Sequence, residues 1–239
     1  PTEARHREEP RGRWTSTAEW IALPRSTEDV ATIVRACAGE GVGIIPLGGG
    51  TGLVGGQLKP DGPAPLIVSL ERMSAIRAVH PQENAAVVEA GAILADVQRA
   101  AADVDRLFPL SLASEGSARI GGLLGTNAGG INTLRYGNAR DQVLGLEAVL
   151  PDGSIWHGLK RLRKDNTGYD LKQLLIGAEG TLGIITAATL KLSPVLRGRA
   201  TAIVGVETPE QAVTLLARAK TESGGGVEAF ELMKRLGTE

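Results

Sequence analysis

Apolar positions recur along this chain with two spacings, one helical and one typical of strands. After Ser26, which can cap a helix, apolar side chains follow at positions 30, 33, 34 and 37, the spacing of one helical face. Short apolar runs at 42–47, 66–70 and 86–90 predict buried strands, and a second helix is predicted over 93–102. Residues 1–22 are polar and irregular and predict a lead-in, so residues 23–105 are expected to form a small α/β unit.

A different pattern follows residue 105. Residues 108–137 are rich in glycine and hold no long periodic run. The runs 144–150 and 154–158, joined by the turn Pro151-Asp152-Gly153, predict a β-hairpin. Later segments predict a short helix over 169–175 and strands over 183–192 and 200–206. Thr208, as a cap, and Pro209, at the first helical position, predict a last helix.

The composition argues against several classes of function. The 26 Lys and Arg residues against 27 Asp and Glu give a net charge of −1, which predicts no nucleic-acid binding and no polybasic membrane anchor. A single cysteine, Cys37, and three histidines far apart in sequence predict neither a disulfide nor a metal site. The longest charge-free run is broken by proline and glycine, which predicts no membrane span, and the charged N-terminal segment is unlike a secretory signal. We therefore expect a cytoplasmic protein. Its 32 glycines are clustered, and the clusters carry the candidate chemistry.

The first glycine cluster is PLGGGTGLVGG at residues 46–56, directly after a predicted strand. Glycines in such a loop let successive N–H groups point into one concavity, which suits a diphosphate, and Thr51 adds a hydroxyl donor. Gly50, Gly52 and Gly55 also match the G-x-G-x-x-G of nicotinamide-dinucleotide sites. That motif needs a helix at once, and the prolines within 60–65 leave no room for one. A tight structural loop is the remaining alternative.

The second cluster spans residues 114–130, where Gly121, Gly125 and Gly129 recur every four residues. In a helix they would form a smooth stripe that a flat ligand can approach closely, although each glycine costs a helix about 1 kcal/mol relative to alanine. Thr126 and Asn127 offer uncharged donors and acceptors that suit the polar edge of a heterocycle. Close packing of a helix on a sheet is the structural alternative.

The third cluster combines KDNTGYDL at 164–171 with GAEGTLGIIT at 177–186. Glu179 lies between glycines just before a predicted strand, where its carboxylate could accept a hydrogen bond from a ribose hydroxyl. The main chain at Ile184 and Ile185 could pair with the edge of an adenine ring. The alternative is an ordinary entry into a hairpin.

Taken together, PLGGGTGLVGG, IGGLLGTNAGG, KDNTGYDL and GAEGTLGIIT resemble, in this order, the FAD-binding domain of the vanillyl-alcohol oxidase type. The resemblance spans residues 23–195 and is in particular to the branch with the glycolate oxidase flavin subunit, D-lactate dehydrogenases and D-2-hydroxyglutarate dehydrogenases. It implies an α+β fold of two α/β subdomains, a small parallel-sheet unit and a larger, mostly antiparallel sheet flanked by helices, with FAD between them. The subdomains are expected at 23–105 and 106–200, and the start of a truncated substrate domain at 201–239.

The resemblance also implies which residues bind FAD. The first cluster would hold the pyrophosphate, the second would line the ribityl chain and isoalloxazine ring, and the third would hold the adenosine end. The implied cofactor-binding residues are Pro46, Gly48, Gly49, Gly50, Thr51, Gly52, Leu53, Gly55, Gly56, Gly116, Ser117, Ile120, Gly121, Gly122, Thr126, Asn127, Gly130, Glu179, Gly180, Gly183, Ile184 and Ile185. Some relatives attach flavin through His or Cys, but the corresponding neighbourhoods here hold Thr51-Gly52 and Ala118-Arg119, so non-covalent FAD is expected.

The function implied by the resemblance is oxidation of a small D-2-hydroxy acid to a 2-oxo acid by a flavin-dependent dehydrogenase or oxidase, with an unknown electron acceptor. Family members run to about twice this length, and their C-terminal half carries the substrate-binding and catalytic side chains. No catalytic residue is therefore predicted here, and the chain is expected to be inactive by itself. Two alternatives stay open: a non-catalytic flavin-binding subunit that needs a partner or a second copy of itself, and a nucleotide-sugar reductase on the same fold.

Overall fold

The structure is a computed structural model that describes residues 1–233. Its strands are β1 (Trp20–Ala22), β2 (Ile44–Leu47), β3 (Leu66–Ser69), β4 (Ile76–His80), β5 (Ala85–Glu89), β6 (Arg106–Leu107), β7 (Val143–Val149), β8 (Ile155–Gly158), β9 (Ile184–Lys191) and β10 (Ser193–Pro194). Its helices are α1 (Ala4–Arg7), α2 (Thr27–Glu40), α3 (Leu94–Ala102), α4 (Ile120–Gly125), α5 (Thr133–Tyr136), α6 (Lys172–Leu175) and α7 (Pro209–Glu222), with a 3-10 helix at Ala139–Gln142. Within residues 1–233, none of the helices combines the length and apolar character that a bilayer crossing requires.

A parallel three-stranded sheet in the order β1-β3-β2 forms the smaller unit. Helix α2 connects β1 to β2 and follows the predicted pattern. The Ser26 hydroxyl accepts a hydrogen bond from the Asp29 N–H at 3.0 Å, and Gly41 ends the helix in the left-handed conformation. The buried face of α2, which includes Val30 and Val34, packs against β7 and β8.

An antiparallel five-stranded sheet in the order β4-β5-β9-β7-β8 forms the larger unit. Strand β9 lies at its centre and is buried at every residue except the last. Strands β7 and β8 form the predicted hairpin, with Gly153 of the turn at φ 77°. Helix α4 packs against β5 and β9 and so brings the second glycine cluster onto the middle of the sheet. The predicted combination of a small parallel sheet with a larger antiparallel one is confirmed.

The predicted organisation of the chain differs from the structure at three places. Strand β1 pairs with β3, so the lead-in predicted for residues 1–22 supplies a strand to the small sheet. Strand β4 lies where only a connection was predicted, and β4 and β5 both belong to the larger sheet, so a boundary at residue 105 does not separate the two sheets. The strand predicted at 200–206 is absent from the structure, because within residues 1–233 no neighbouring strand pairs with this segment.

The predicted last helix is present as α7. The Thr208 hydroxyl accepts a hydrogen bond from the Gln211 N–H at 3.3 Å, and the Gln211 side chain accepts one from the Glu207 N–H at 2.8 Å. An ion pair of 2.9 Å between Arg199 and Glu228 connects the segment after α7 to the segment that follows β10. The last six positions of the predicted segment 201–239, residues 234–239, lie outside the described residues.

One large hydrophobic cluster joins the two sheets, and a smaller one is formed by Ala18, Leu47 and Ile67. Val68 of β3, Leu94 of α3, Leu124 of α4, Leu146 of β7 and Leu190 of β9 belong to one cluster of buried residues. Protein interiors of this kind are close-packed, so the elements that share this core hold each other in fixed positions. The loops that leave the two sheets are therefore held at defined positions relative to each other, which is what a site built from several loops requires.

Candidate functional site

The first two glycine clusters and the 177–186 part of the third meet at one cavity of about 330 Å³ between the small sheet, α4 and the start of β9. The other part of the third cluster, residues 164–171, does not line this cavity and contributes to a separate cleft. More than half of the predicted cofactor-binding residues line the cavity where the clusters meet: Pro46, Gly48, Gly52, Gly56, Gly121, Gly122, Thr126, Glu179, Gly180, Gly183, Ile184 and Ile185. These positions are far apart in sequence, so the cavity depends on the tertiary fold.

The first and second clusters approach each other backbone to backbone. A Cβ atom on Gly48 would lie 3.0 Å from the Gly122 Cα atom, and one on Gly49 would lie 2.2 Å from the Ser117 carbonyl oxygen. The contact at Gly49 excludes a side chain, and the one at Gly48 would require the neighbouring main chain to shift. The sequence thus uses glycine here to bring two main chains together at the cavity wall, which leaves N–H groups near the space where a ligand would lie.

Helix α4 carries the second cluster but is shorter than the predicted glycine stripe. It ends at Gly125, so Gly129 lies beyond it. Gly121 faces the sheet, where an added Cβ would lie 2.7 Å from the Ala90 Cβ atom, which is the close packing of a helix on a sheet that the sequence left as an alternative. Gly125 lines the cavity, and an added Cβ there would meet no atom within 4 Å.

Glu179 brings the third cluster to the same cavity. Its N–H donates to the Gly125 carbonyl oxygen at 2.9 Å, and its backbone has φ 50°, a left-handed conformation that is rare for a residue with a side chain. Its carboxylate lies beside the first cluster, since a Cβ on Gly56 would be 2.9 Å from Glu179 Oε2. The residue after it, Gly180, packs against the ring of Pro46.

The remaining predicted site residues do not line the cavity, and several have structural contacts instead. Ile120 is buried in the core, the Asn127 side chain accepts the Arg140 N–H at 3.0 Å, and a Cβ on Gly130 would lie 2.2 Å from the Ser111 carbonyl oxygen. The other residues outside the lining are Gly49, Gly50, Thr51, Leu53, Gly55, Gly116 and Ser117. For all of these positions, a role in binding the cofactor stays a prediction.

The structure adds lining residues that were not among the predicted cofactor-binding residues: Leu47, Val54, Gln57, Leu70, Ala90, Gly125 and Leu175. Gly125 belongs to the glycine stripe of the second cluster, and Leu47 and Val54 lie within the first cluster. Leu47 ends β2, while Leu70 and Ala90 directly follow β3 and β5. A signal for these three was present, because ligands of α/β sheets tend to bind beyond the carboxyl ends of strands. Nothing in the local sequence distinguishes Gln57 or Leu175 as lining residues.

The lining is nearly free of charge. Glu179 is the only ionisable residue among the described residues that line the cavity. A second, apolar hollow of about 210 Å³ shares Pro46, Gly180, Gly183 and Ile184 with it. Glycine main chain, apolar walls and one carboxylate fit an elongated ligand that combines a flat ring system, hydroxyl groups and a diphosphate bound by amides. The same lining contains no pair of side chains for acid–base chemistry.

Comparisons with known proteins agree with this site. The family model described as FAD binding domain matches residues 18–158. A D-2-hydroxyglutarate–pyruvate transhydrogenase of Saccharomyces cerevisiae is 39% identical over 215 residues, which cover 90% of this chain and 43% of that protein. The mitochondrial D-2-hydroxyglutarate dehydrogenase of Rattus norvegicus is 40% identical over 213 residues, which cover 89% of this chain and 39% of that protein.

A solved structure with a similar fold is that of an alkyldihydroxyacetonephosphate synthase. It superimposes with a TM-score of 0.69 at 26% identity and covers 78% of this chain and 34% of that one. The chain thus spans well under half the length of the curated relatives it matches. The match to the family model and the convergence of the glycine clusters on a glycine-walled cavity with one carboxylate agree: the chain belongs to the FAD-binding domain family, and its cofactor is FAD.

Proposed function

We propose that this chain is the FAD-binding half of a flavin-dependent dehydrogenase that oxidises a small D-2-hydroxy acid to the 2-oxo acid. The observation that carries the proposal is the meeting of the three glycine clusters at one cavity, in a chain that matches the FAD-binding family over residues 18–158. Support for the substrate class comes from the relatives, which are named for D-2-hydroxyglutarate and are 39% and 40% identical to this chain.

The residues of this chain bind and orient the cofactor. When bound, FAD supplies the redox chemistry, accepting the hydride equivalent removed from the alcohol carbon. Main-chain N–H groups at Gly48 and Gly52, which line the cavity, are suited to the pyrophosphate, and the apolar walls around Ile184 would exclude water from the rings. The Glu179 carboxylate, as a hydrogen-bond acceptor, is suited to a hydroxyl of the cofactor.

The proton of the substrate hydroxyl needs an acceptor from outside the cavity lining. Glu179 is the one ionisable side chain that lines the cavity within residues 1–233, and a single carboxylate committed to the cofactor does not make an acid–base pair. We therefore assign the base and the substrate-binding cations to a further domain or to a partner subunit, and place the D-2-hydroxy acid and the electron acceptor there.

The FAD is proposed to be non-covalent. The loop at Thr51-Gly52 and the segment at Ala118-Arg119 offer no His or Cys for attachment to the ring. The single cysteine, Cys37, is buried in α2, away from the cavity lining. Precipitating the flavin-loaded protein with acid should release the yellow colour into the supernatant, whereas colour retained in the pellet would contradict the assignment.

The experiment is to purify the 239-residue chain, saturate it with FAD and record flavin absorbance and turnover. We expect binding that perturbs the flavin bands, with little oxidation of D-2-hydroxyglutarate or D-lactate in the presence of an artificial acceptor. Absence of FAD binding would refute the cofactor site. Brisk turnover by this chain would refute the assignment of the base to a missing element.

A flavin-binding subunit that is non-catalytic without a partner is the second candidate, favoured by the single ionisable group in the cavity. Reading the coding sequence past residue 239 separates the two: continued coding supports the fragment, and an immediate stop codon supports the subunit. A nucleotide-sugar reductase on the same fold is disfavoured, because the relatives reported above carry names of 2-hydroxy-acid enzymes.

A further inference from the structure

A second cleft, of about 610 Å³, lies apart from the cofactor cavity and shares no lining residue with it. It is bounded by β7, β8 and β9, by the loop that follows β8, and by α6. Unlike the cofactor cavity, it is rich in cations, which are Arg140, Lys160, Arg163, Lys172 and Lys191. Its acidic residues are Asp141, Asp165 and Asp170.

Two of the cations are neutralised within the cleft. Lys160 pairs with Asp165 at 2.8 Å, and Lys172 pairs with Asp170 at 2.6 Å. The hydrogen bonds from Lys160 and Thr167 lower the pKa of Asp165 to about 2, so this carboxylate stays ionised at any physiological pH. Each of these two ion pairs has no net charge, so neither pair attracts an anion.

The other three cations have no carboxylate partner within residues 1–233. The Arg140 guanidinium donates to the carbonyl oxygens of Gln173 and Ile176 at 2.7 and 2.6 Å, and the Lys191 ammonium donates to the Asp141 carbonyl oxygen at 2.7 Å. Hydrogen bonds to carbonyl oxygens satisfy donors but do not cancel charge.

Within residues 1–233, Arg163 lacks a protein partner: it makes neither an ion pair nor a hydrogen bond, its side chain is exposed, and it shares the cleft with Lys191. Burial lowers the pKa of Lys191, and the charges of Arg163 and Lys172 lower it further, while the Asp141 carboxylate acts in the opposite direction. Arg163 and Lys191 therefore repel each other. An anion between them would replace this repulsion with two charge-assisted contacts.

We propose that this cleft binds a small multivalent anion, a di- or tricarboxylate or a phosphate-bearing metabolite, held between Arg163 and Lys191 with Arg140 on the wall. The cleft shares no lining residue with the cofactor cavity, and the part of the third cluster that lines the cleft, within 165–171, is absent from that cavity. Failure of the anion site would therefore leave the proposed function untouched.

Calorimetric titration of the FAD-saturated chain tests the proposal, with citrate and pyrophosphate as probes at constant ionic strength. Saturation with FAD fills the cofactor cavity, so that pyrophosphate cannot bind there. We expect saturable binding that weakens about tenfold in Arg163→Gln and in Lys191→Gln, because each loses one charge-assisted contact. Preference for citrate would identify a carboxylate ligand, and preference for pyrophosphate a phosphate ligand.

Lys164→Gln is the matched control, because Lys164 is the next residue to Arg163 and does not line the cleft. It removes the same charge and should bind both probes like the unchanged protein. Equal weakening in Arg163→Gln and Lys164→Gln, or no saturable binding of either probe, would overturn the proposal. Tight binding of an oligoglutamate peptide without binding of citrate or pyrophosphate would also overturn it, in favour of an acidic polypeptide. Arg163 is exposed, so its variant keeps the test valid if Lys191→Gln fails to fold.

Discussion

Gly125 is the position at which the cofactor cavity is most easily filled by a side chain. It lines the cavity, has no left-handed backbone requirement, and would place a Cβ in open space. We predict that Gly125→Leu keeps the fold and lowers FAD affinity at least tenfold, as measured by flavin fluorescence titration. Replacing a helical glycine should raise the free energy of unfolding by roughly 0.5–1 kcal/mol. A loss of FAD affinity in this variant would therefore not result from a less stable fold.

Gly39→Leu is the matched control for this prediction. Gly39 lies in α2, is exposed, and an added Cβ there would also meet no atom within 4 Å, but it does not line the cavity. FAD affinity should be unchanged in Gly39→Leu. Unimpaired FAD binding in Gly125→Leu would show that the cofactor lies elsewhere.

Glu179 combines backbone strain with a position at the cavity. Left-handed backbone at a residue with a side chain costs about 1–2 kcal/mol, and asparagine tolerates it better than most residues. We predict that Glu179→Asn is more stable than Glu179→Gln by about 0.5–1 kcal/mol in urea unfolding, because only the asparagine relieves the strain. Both variants lack the carboxylate, so both should bind FAD severalfold more weakly. Equal stability of the two variants would argue against strain at φ 50°.

A sequence cannot distinguish glycines that face a ligand from glycines that let two main chains touch. Gly52 lines the cavity, whereas Gly49 and Gly130 are glycine because a Cβ would strike the carbonyl oxygens of Ser117 and Ser111. In the sequence, both kinds appear only as a glycine in a predicted loop. The clusters could therefore be located from the sequence, but the role of each glycine within them depends on contacts between distant segments.

At the scale of elements, Glu147 of β7 ties three other elements together. It is only 8% exposed, and it accepts hydrogen bonds from Thr27 of α2 at 2.8 Å and Thr186 of β9 at 3.1 Å. Arg77 of β4 approaches the same carboxylate at 3.4 Å. Burial raises the pKa of this carboxyl, but the hydrogen bonds and the charge of Arg77 together outweigh burial and lower it.

Glu147→Gln should therefore destabilise the fold at neutral pH by about 2 kcal/mol in urea unfolding, since it leaves charged and hydroxyl donors with a weaker acceptor. A carboxyl whose pKa is lowered by folding contributes stability above its unfolded pKa and loses it as the pH falls through the folded value. The stability difference between the unchanged protein and Glu147→Gln should shrink on acidification below that range. A difference that stays constant with pH would contradict the ionised network.

The elements that were predicted correctly have their signals within one segment of the sequence. The errors concern strands, whose formation depends on pairing with another strand. Helix α2 has its cap, its apolar face and its terminal glycine within one segment. Strand β4 is an edge strand with partly exposed residues, so its apolar signal is weak, and its existence depends on pairing with β5. Residues 200–206 are the opposite case. Their apolar run predicts a strand, but within residues 1–233 no other strand pairs with it.

At the scale of the whole molecule, the site depends on contacts that no local pattern encodes. Glu179 lies shortly before β9, the central strand of the large sheet, whereas the first cluster begins at Pro46 in β2, an edge strand of the small sheet. The family resemblance supplied this long-range arrangement in advance, because it brings a known fold with it. The cytoplasmic location and the division into domains remain predictions.

The segment after β10 carries several exposed apolar side chains. Ile203 is 89% exposed and Val213 is 69% exposed, and Leu232 and Met233 are also exposed. We predict that the chain self-associates reversibly in sedimentation velocity as its concentration rises, because burying one such side chain contributes about 1.5–3 kcal/mol. The double substitution Ile203→Ser with Val213→Ser should weaken association at least tenfold. Leu174→Ser, at a residue 61% exposed on α6, should leave it unchanged, and a chain that stays monomeric at millimolar concentration would contradict the prediction.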